Sequence, residues 1–526
     1  MPYPAKERKD KNMKKKLVSL ILAVSMVGAS VCGCGSGSAD QEKQGSDVSG
    51  AGDTTSKEDK GGSDEEGEAY TVAIQLVNVT TDQTDIEMVE EEINKITQPA
   101  INCKVDIQNV FIGDLPTTTS MNVVSDEKMD IVCVGLTQKV SDIEDDGILL
   151  ELDDYLQYAP TYTELVKDYM KAGRVNGVQY ALPVHPYLAR SAGFVYNKDM
   201  ADKYNIVLED GATYDDLADA FEILKQNGIY GTSSGQASSS LAQNFYNIEL
   251  YGTNGDYGMI SDPANNTKIE SWYGSDYFKE FCHKMKDWAE AGYIPSDSLT
   301  DTTTVQEYMT MEKVFGTATA YDMSEYATWQ AGQPFKIDMI QLEDQIVTTS
   351  SVVERMWGLA ATCKNPKKAM EFLNYMYENA DVANLLRFGI KGQNYQIVEG
   401  TEHVITTEGS TTGSNGYTSQ FTHYGNPTET LTAEPNTDSY ADDVIAFNEN
   451  VPVSATLGYT FDASGYSAEA GAVSNVIAEY LPRLQTGQVD DVDASIEELL
   501  SALDSAGYNS IIEGNQKQLD EYLAAE

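Results

Sequence analysis

The chain has 526 residues, with 83 Asp and Glu against 35 Lys and Arg, and its formal net charge is −48. So acidic a protein repels nucleic acid and anionic lipid surfaces, which excludes both as partners that bind by charge. The length exceeds what one hydrophobic core organises and predicts two lobes in addition to terminal segments.

The first 33 residues have the order of a bacterial lipoprotein signal peptide. A basic region, Lys14–Lys16, precedes an apolar run over residues 17–29 that is too short to span a bilayer comfortably. Gly33 then precedes Cys34, and a small residue before a cysteine resembles a bacterial lipobox. We therefore predict cleavage before Cys34, lipidation of its sulfur and anchoring at the extracellular face of a Gram-positive-type cell membrane. The alternative is an ordinary secretory signal with incidental cysteines.

Residues 34–68 are mainly Gly, Ser, Asp, Glu and Lys and contain almost no apolar side chains. Such a segment buries too little surface to offset its ordering entropy, so it is predicted to be a disordered tether. Either Met1 or Met13 is compatible with translation start, because the first twelve residues are polar.

Cysteine and histidine spacing gives no sign of a metal or cofactor. The positions concerned are Cys103, Cys133, Cys282, Cys363, His185, His283, His403 and His423. None of them forms a ligand pair at zinc-site spacing. We predict buried free thiols, no metal site and no cofactor.

From Tyr70 onward the pattern alternates between strand and helix. Strands are predicted at residues 70–76, 102–111 and 129–135, with an amphipathic helix at 86–96 between the first two. This order predicts a parallel sheet with right-handed crossovers. Loops at the carboxyl ends of such strands line a ligand crevice, which makes Asp82 a candidate ligand contact.

The segment 177–199 is predicted to be strand, loop and strand, followed by a helix. Pro183 ends the first strand because proline cannot donate a ladder hydrogen bond. Pro183 and Pro186 enclose a short loop that carries Tyr187. A hairpin in a core is one interpretation, and a crossover between two α/β lobes is the other.

Tyr180-Ala181-Leu182-Pro183, followed after that loop by the run 195–199 (Val-Tyr-Asn-Lys-Asp), resembles the extracellular solute-binding proteins of family 1. These are carbohydrate-capturing receptors of ABC importers. The similarity extends to the runs 286–294, 365–369 and 458–462. It implies an α/β, two-lobed periplasmic-binding-protein-like fold of type II, with parallel-rich sheets, helices on both faces and a cleft between the lobes.

The resemblance also implies boundaries and partners. After the signal peptide (1–33) and tether (34–68), residues 69–185 begin lobe 1 and 186–320 begin lobe 2. Residues 321–375 return to lobe 1, and the mostly helical segment 376–526 completes both lobes. The implied function is capture of a carbohydrate, in this branch an oligosaccharide, by a monomeric receptor that closes on it and delivers it to a permease.

Sugar recognition needs aromatic faces for stacking and polar side chains for hydroxyl groups. The predicted ligand contacts are Asp82, Tyr187, Arg190, Trp272, Tyr321, Trp329, Arg355 and Trp357. For the aromatic residues the alternative is a core or surface position, and for the arginines it is a salt bridge. Trp288 lies within a helical repeat and is predicted to be in the core.

Two other classes of function are compatible with the composition. A glycoside hydrolase needs two nearby carboxylates, and 83 acidic residues cannot exclude such a pair. No nucleophile motif or catalytic histidine arrangement stands out, so no catalytic residue is predicted. A surface adhesin would be favoured by internal repeats, and none is found.

Overall fold

The computed structural model describes residues 68–79, 83–233, 241–330, 333–407, 416–420 and 423–525. The chain divides into two units, Met1–Tyr70 and Thr71–Glu526, and both lobes belong to the second. Cys34, the tether up to residue 67 and Asp82 lie outside the described residues, so their predicted roles stay predictions.

Both strands and helices are distributed along the whole second unit. The strands are β1 (Tyr70–Asn78), β2 (Cys103–Phe111), β3 (Ile131–Val134), β4 (Arg174–Val175), β5 (Val178–Gln179), β6 (Ala181–Pro183), β7 (Ser191–Asn197), β8 (Glu249–Leu250), β9 (Met259–Ile260), β10 (Gly316–Tyr321), β11 (Ile337–Gln341), β12 (Met356–Leu359), β13 (Gln396–Ile397), β14 (Val404–Thr406) and β15 (Thr432–Ala433). The α-helices are α1 (Ile86–Ile101), α2 (Leu115–Val124), α3 (Val140–Asp145), α4 (Pro160–Val166), α5 (Lys198–Tyr204), α6 (Tyr214–Lys225), α7 (Asp276–Ala291), α8 (Val305–Thr310), α9 (Glu325–Gln330), α10 (Thr349–Val353), α11 (Pro366–Glu378), α12 (Ala380–Phe388), α13 (Tyr440–Asn448), α14 (Ser467–Gln485), α15 (Val492–Ala506) and α16 (Tyr508–Ala525).

The first lobe is built on a five-stranded sheet with the strand order β2-β1-β3-β12-β6. β1 and β3 are parallel, with Ile74 opposite Ile131. β12 runs antiparallel to both of its neighbours, and its Trp357 lies between Cys133 and Leu182. The sheet is therefore mixed. The chain forms the strands of the second lobe before it returns to the first sheet as β12.

The second lobe is built on a three-stranded antiparallel sheet with the order β10-β7-β11. Phe194, in the central strand, lies opposite Ala318 on one side and Ile340 on the other. The core of this lobe also takes in α6 and α7 and the C-terminal helices α14, α15 and α16. Trp288 is 2% exposed in that core, as predicted.

The predicted return to the first lobe at residue 321 is too early. β11 pairs with β7 in the second sheet, and β12 is the strand that rejoins the first sheet. The strand that rejoins the first sheet is short. Thr348 and Ser351 form a capping box that starts α10, so that only Met356–Leu359 is extended.

Helix ends follow their local signals closely. Asn197 accepts a hydrogen bond from the Met200 amide and starts α5, and Asn365 starts α11 in the same way. Gly292 ends α7 with a φ of 78°, a left-handed conformation that suits glycine. Asp85 precedes α1 without capping it by its side chain, and instead accepts a bond from Asn394.

The four described cysteines are buried and free, as predicted. Their thiols have no disulfide role in holding the two lobes together. Within the described ranges, no helix combines the length and the apolar character needed to cross a membrane.

Candidate functional site

The lobes meet where the chain passes between their sheets. The passages are the segment from β6 to β7, the segment from β11 to β12, and the segment between α13 and α14. The first two passages pair through Arg190 and Ile346, and the second and third pair through Val347 and Val453. A small apolar cluster that includes Phe447 fills the junction. A hinge with adjacent passages permits rotation of the lobes without separating them.

Glu249, in β8 of the second lobe, forms hydrogen bonds with the chain segments that connect the two lobes. Its side chain is 2% exposed. It accepts hydrogen bonds from the Thr349 amide at 2.8 Å, from Ser454 Oγ at 2.6 Å and from Thr456 Oγ1 at 3.3 Å. Buried carboxylates are costly unless hydrogen-bonded, so these donors explain how the charge is accommodated.

An ion-pair network lies beside this junction. Arg190, at the start of β7, pairs with Asp322 at 3.2 Å and also with Glu354 next to β12. Glu354 in turn lies 3.4 Å from the Arg355 guanidinium. Burial is the largest single influence and acts to raise the pKa of Asp322, but the Arg190 charge, the hydrogen bonds from Ser324 and the Arg355 charge together lower it. The network therefore joins the two sheets through charged side chains.

Glu325 is the carboxyl group beside this network whose pKa is raised. Burial, reinforced by the negative charge of Asp322, raises the pKa of Glu325 to about 7. The positive charges of Arg190 and Arg355 only partly offset this rise, and Glu354 adds to it. Glu325 is thus poised to exchange a proton near neutral pH.

We expect this group to make the protein less stable as the pH rises. Glu325 binds a proton in the folded state up to a pKa of about 7 but loses it near 4.5 when unfolded. Each pH unit between these values lowers the free energy of unfolding by at most about 1.4 kcal/mol, and neighbouring charges reduce the total to about 1–3 kcal/mol. Above about pH 7 the stabilisation from protonated Glu325 is lost completely.

Urea denaturation at pH 4.5 and pH 8 tests this pH dependence. Between pH 4.5 and pH 8, the free energy of unfolding should fall less, or rise more, in Glu325→Gln than in the wild type. Glu87→Gln, on the exposed face of α1, serves as the matched control. An equal pH dependence in the wild type and in Glu325→Gln would contradict the role of this carboxyl group.

Two histidines form a neutral pair on the first-lobe side. His185 Nε2 lies 3.2 Å from His423 Nδ1. Burial, together with the positive charge of Arg355, lowers the pKa of His185 to about 3 and that of His423 well below its usual value. His185 Nδ1 and Arg355 Nε are buried and have no hydrogen-bond partner among the described residues. These two atoms are available to a bound hydroxyl group or water.

A cavity of about 230 Å³ opens between the second lobe and the chain that leads into α13. The second lobe contributes Tyr321, Asp322, Met323, Tyr326, Asp338 and Met339. The opposite wall consists of Pro435, Asn436, Thr437, Tyr440 and Asp443. The cavity is smaller than the pockets of about 300–1,000 Å³ that enclose drug-sized ligands, so it suits one part of a larger molecule.

Tyr440 connects this cavity with the cationic side of the junction. Burial raises the pKa of the Tyr440 phenol, the charge of Arg387 opposes the rise and that of Asp322 reinforces it. The ring therefore lies within electrostatic reach of a cation and of a carboxylate. Arg387 itself donates a hydrogen bond to Thr430, and Tyr187 lies 3.3 Å from the Thr428 hydroxyl.

The arrangement can bind polar, ring-shaped molecules. Tyrosine faces offer apolar contact area with a polar edge, and ionised carboxylates accept hydrogen bonds from hydroxyl groups. Among the described residues, no group of three or more His, Cys, Asp or Glu side chains could hold a metal ion. The candidate site is thus built for non-covalent recognition by aromatic, amide and carboxylate groups.

Four of the predicted contacts lie at or beside this site. Tyr321 lines the cavity. Arg190 forms an ion pair with Asp322, which also lines it. Tyr187 and Arg355 belong to the first-lobe side, near the histidine pair. The salt-bridge alternative holds for both arginines in this structure. Whether any of the four touches a ligand remains a prediction.

Trp329 lies just behind the cavity wall. It packs with Met339 and Tyr326, which line the cavity, and its indole nitrogen donates to Thr319 Oγ1 at 3.3 Å. Its predicted contact with ligand also remains a prediction.

Two predicted contacts need correction. Trp357 is 1% exposed and lies in the middle of the first sheet, where its ring packs near that of Tyr424. Trp272 is 3% exposed and packs edge-on against Phe278 in the second-lobe core. Neither ring has a free face on which a ligand could stack, so both are core residues.

Several residues that line the cavity were not predicted from the sequence. Asp322 directly follows the predicted Tyr321 and could have been found by extending the strand-end argument by one residue. Asp338 and Tyr440 could not, because they reach the cavity from segments about a hundred residues apart and only the tertiary fold brings them together.

Comparison with known proteins agrees with this architecture. A family model described as bacterial extracellular solute-binding protein matches residues 80–383, and a domain of unknown function (DUF3502) matches residues 455–524. A protein of Streptococcus pneumoniae named carbohydrate ABC transporter substrate-binding protein is 25% identical over 461 residues, covering 86% of this chain and 91% of that protein.

Solved structures share the fold. The N-glycan transport solute binding protein NgtS of Streptococcus pneumoniae has a TM-score of 0.75 at 23% identity, over 86% of this chain and 99% of that one. Its complex with Man5GlcNAc has a TM-score of 0.63 at 24% identity, with 87% and 99% covered. An extracellular solute-binding protein of Bifidobacterium longum subsp. infantis has a TM-score of 0.57 at 16% identity, with 87% and 99% covered.

The fold and the cavity at the lobe junction define a two-lobed ligand-binding protein, which confirms the predicted two-lobed α/β fold. The expectation of parallel-rich sheets was wrong, because the second sheet is antiparallel and the first is mixed. The family model covers more than half of the sequence. The chain belongs to the bacterial extracellular solute-binding protein family, as its sequence motifs indicated.

Proposed function

We propose that this protein captures an oligosaccharide outside the cell and delivers it to the permease of an ABC importer. The observation that carries the proposal is the cavity at the lobe junction, whose walls combine three tyrosines with three carboxylates. The names of its relatives support a carbohydrate ligand, since they include a carbohydrate ABC transporter protein and a glycan complex.

Lobe closure would complete the site. Tyr321 and Asp338 belong to the second-lobe wall, and Tyr440 belongs to the opposite wall. A ligand that touches both walls favours the closed arrangement in proportion to its extra affinity for that state.

The anchor and the partners form the remainder of the proposal. Lipid on Cys34 would hold the protein at the extracellular face of the membrane, with residues 34–68 as the tether. The protein would act as a monomer, would contact the permease when closed and would leave the glycan intact. Its relatives' names describe binding and transport, which supports recognition without hydrolysis.

A thermal-shift screen of neutral and acidic oligosaccharides is the first test of this function. A receptor gains stability from its ligand and leaves it chemically unchanged. Chromatography of the recovered ligand separates the classes, because a hydrolase would release shorter products. Failure of every oligosaccharide to stabilise the protein would contradict the proposal.

With a ligand identified by that screen, Tyr440→Ala should weaken binding about 5- to 150-fold. The range corresponds to about 1–3 kcal/mol for loss of one stacking ring, by analogy with base–aromatic stacking. Isothermal titration calorimetry provides the measurement. Tyr204→Ala, on α5 away from the cavity, is the control and should bind normally. Unchanged affinity in Tyr440→Ala would remove this residue from the site.

A further inference from the structure

The cavity at the lobe junction is unusually acidic for its size. Asp322, Asp338 and Asp443 line it, and no Lys, Arg or His is among the described residues of its wall. Asp322 has a cationic partner, since Arg190 lies 3.2 Å away. No described cation pairs with Asp338 or Asp443 within 4.0 Å.

The two unpaired carboxylates retain the ability to accept hydrogen bonds. Asp338 accepts one from the Tyr196 hydroxyl at 3.0 Å and one from the Met339 amide at 2.9 Å. Asp443 accepts one from Ser439 Oγ at 2.7 Å. A carboxylate has about four acceptor positions, so both side chains can still receive hydroxyl or amine donors from a ligand.

We propose that Asp338 and Asp443 select a sugar ring without a negative charge at this position. The inference rests on the proposed function and adds the charge class of the ligand. A neutral hexose or N-acetylhexosamine supplies hydroxyl donors to both carboxylates, and the ammonium group of a free amino sugar supplies stronger ones. A sialic or uronic acid places its own carboxylate beside two anions that have no described ion-pair partner within 4.0 Å.

The size of this selection follows from electrostatics. Two like charges at contact distance weaken binding by at least about fivefold even when water screens them fully, and by more at the edge of a protein. With two carboxylates facing the ring, we expect a neutral glycan to bind at least about tenfold more tightly than its acidic counterpart. Because Asp443 is exposed, the ratio should fall as salt is added.

The test is an array that pairs neutral oligosaccharides with their sialylated and glucuronylated counterparts, followed by calorimetry of the best pair. Asp338→Asn/Asp443→Asn should reduce the neutral-to-acidic affinity ratio at least about fivefold, since both substitutions keep side-chain shape and remove charge. Asp442→Asn, an exposed neighbour outside the cavity wall, should leave the ratio unchanged. If the double variant fails to fold, Asp443→Asn alone should still lower the ratio.

Three results would count against the proposal in different ways. A wild-type protein that binds the acidic glycans as tightly as the neutral ones overturns the selection. A preference for acidic glycans that disappears in Arg387→Gln assigns the ring position to the cationic side of the junction instead. Absence of binding to every glycan on the array contradicts the proposed function itself, on which the inference rests.

Discussion

Replacing Trp357 by alanine should lower the free energy of unfolding by about 3–5 kcal/mol, the cost of truncating a large, fully buried aromatic side chain. Trp357 is 1% exposed and lies in an interior strand of the first sheet, between Cys133 and Leu182. Its removal leaves a cavity that β-sheet neighbours, held by ladder hydrogen bonds, cannot easily fill. Such a loss is a large fraction of the stability of an ordinary domain.

Urea denaturation followed by circular dichroism measures this effect, with Trp329→Ala as the matched control. Trp329 is partly exposed and has one indole hydrogen bond, so its removal should cost less than about 2 kcal/mol. Equal losses in the two variants would contradict the core assignment of Trp357. The folded fraction of Trp357→Ala should still bind glycan, because the ring has no free face toward the cavity.

Glu249→Ala should destabilise the protein by about 3–5 kcal/mol, because three donors lose their acceptor inside the junction. The Thr349 amide and the Ser454 and Thr456 hydroxyl groups all bond to this buried carboxylate. Ser454 and Thr456 lie 3.0 Å apart and can partly compensate each other, which limits the loss. The Thr349 amide is held in place at the start of α10, so it cannot turn toward another acceptor.

The comparison of Glu249→Ala with Glu249→Gln separates acceptor loss from charge loss. Glutamine keeps one oxygen for the Thr349 amide, so it should cost less than alanine. Glu270→Ala, whose side chain is 33% exposed and bonds to Ser261, should cost no more than about 1 kcal/mol. Chemical denaturation of all three variants provides the ranking. A loss in Glu249→Ala no larger than in Glu270→Ala would show that the junction tolerates the missing acceptor.

Local signals in the sequence mark several helix boundaries. Asn197, Thr213 and Asn365 each start a helix with their side chains, and Gly292 ends one. These features depend on a few consecutive residues, which sequence patterns contain directly. The crossover at Pro183–Ser191 was also predictable, because two strands enclose a loop with two prolines.

Strand directions and burial were less predictable because they depend on distant partners. Trp357 was predicted to contact ligand, yet its strand is inserted between β3 and β6, which precede it by more than a hundred residues. Tyr321, a predicted ligand contact, ends β10 and lines the cavity, and its contact with a ligand stays a prediction. Tyr440 escaped notice, since nothing in its neighbouring sequence distinguishes it from other surface tyrosines.

The central position of β12 also determines when the first lobe can fold. β3 and β6 are not neighbours in the sheet, and β12 supplies the ladder hydrogen bonds on both of their facing edges. A chain that ends before Leu359 therefore has two open strand edges where its sheet centre should be. Contacts of such long sequence separation form slowly. The first sheet therefore cannot be completed until the strands of the second lobe and β12 itself have been synthesised.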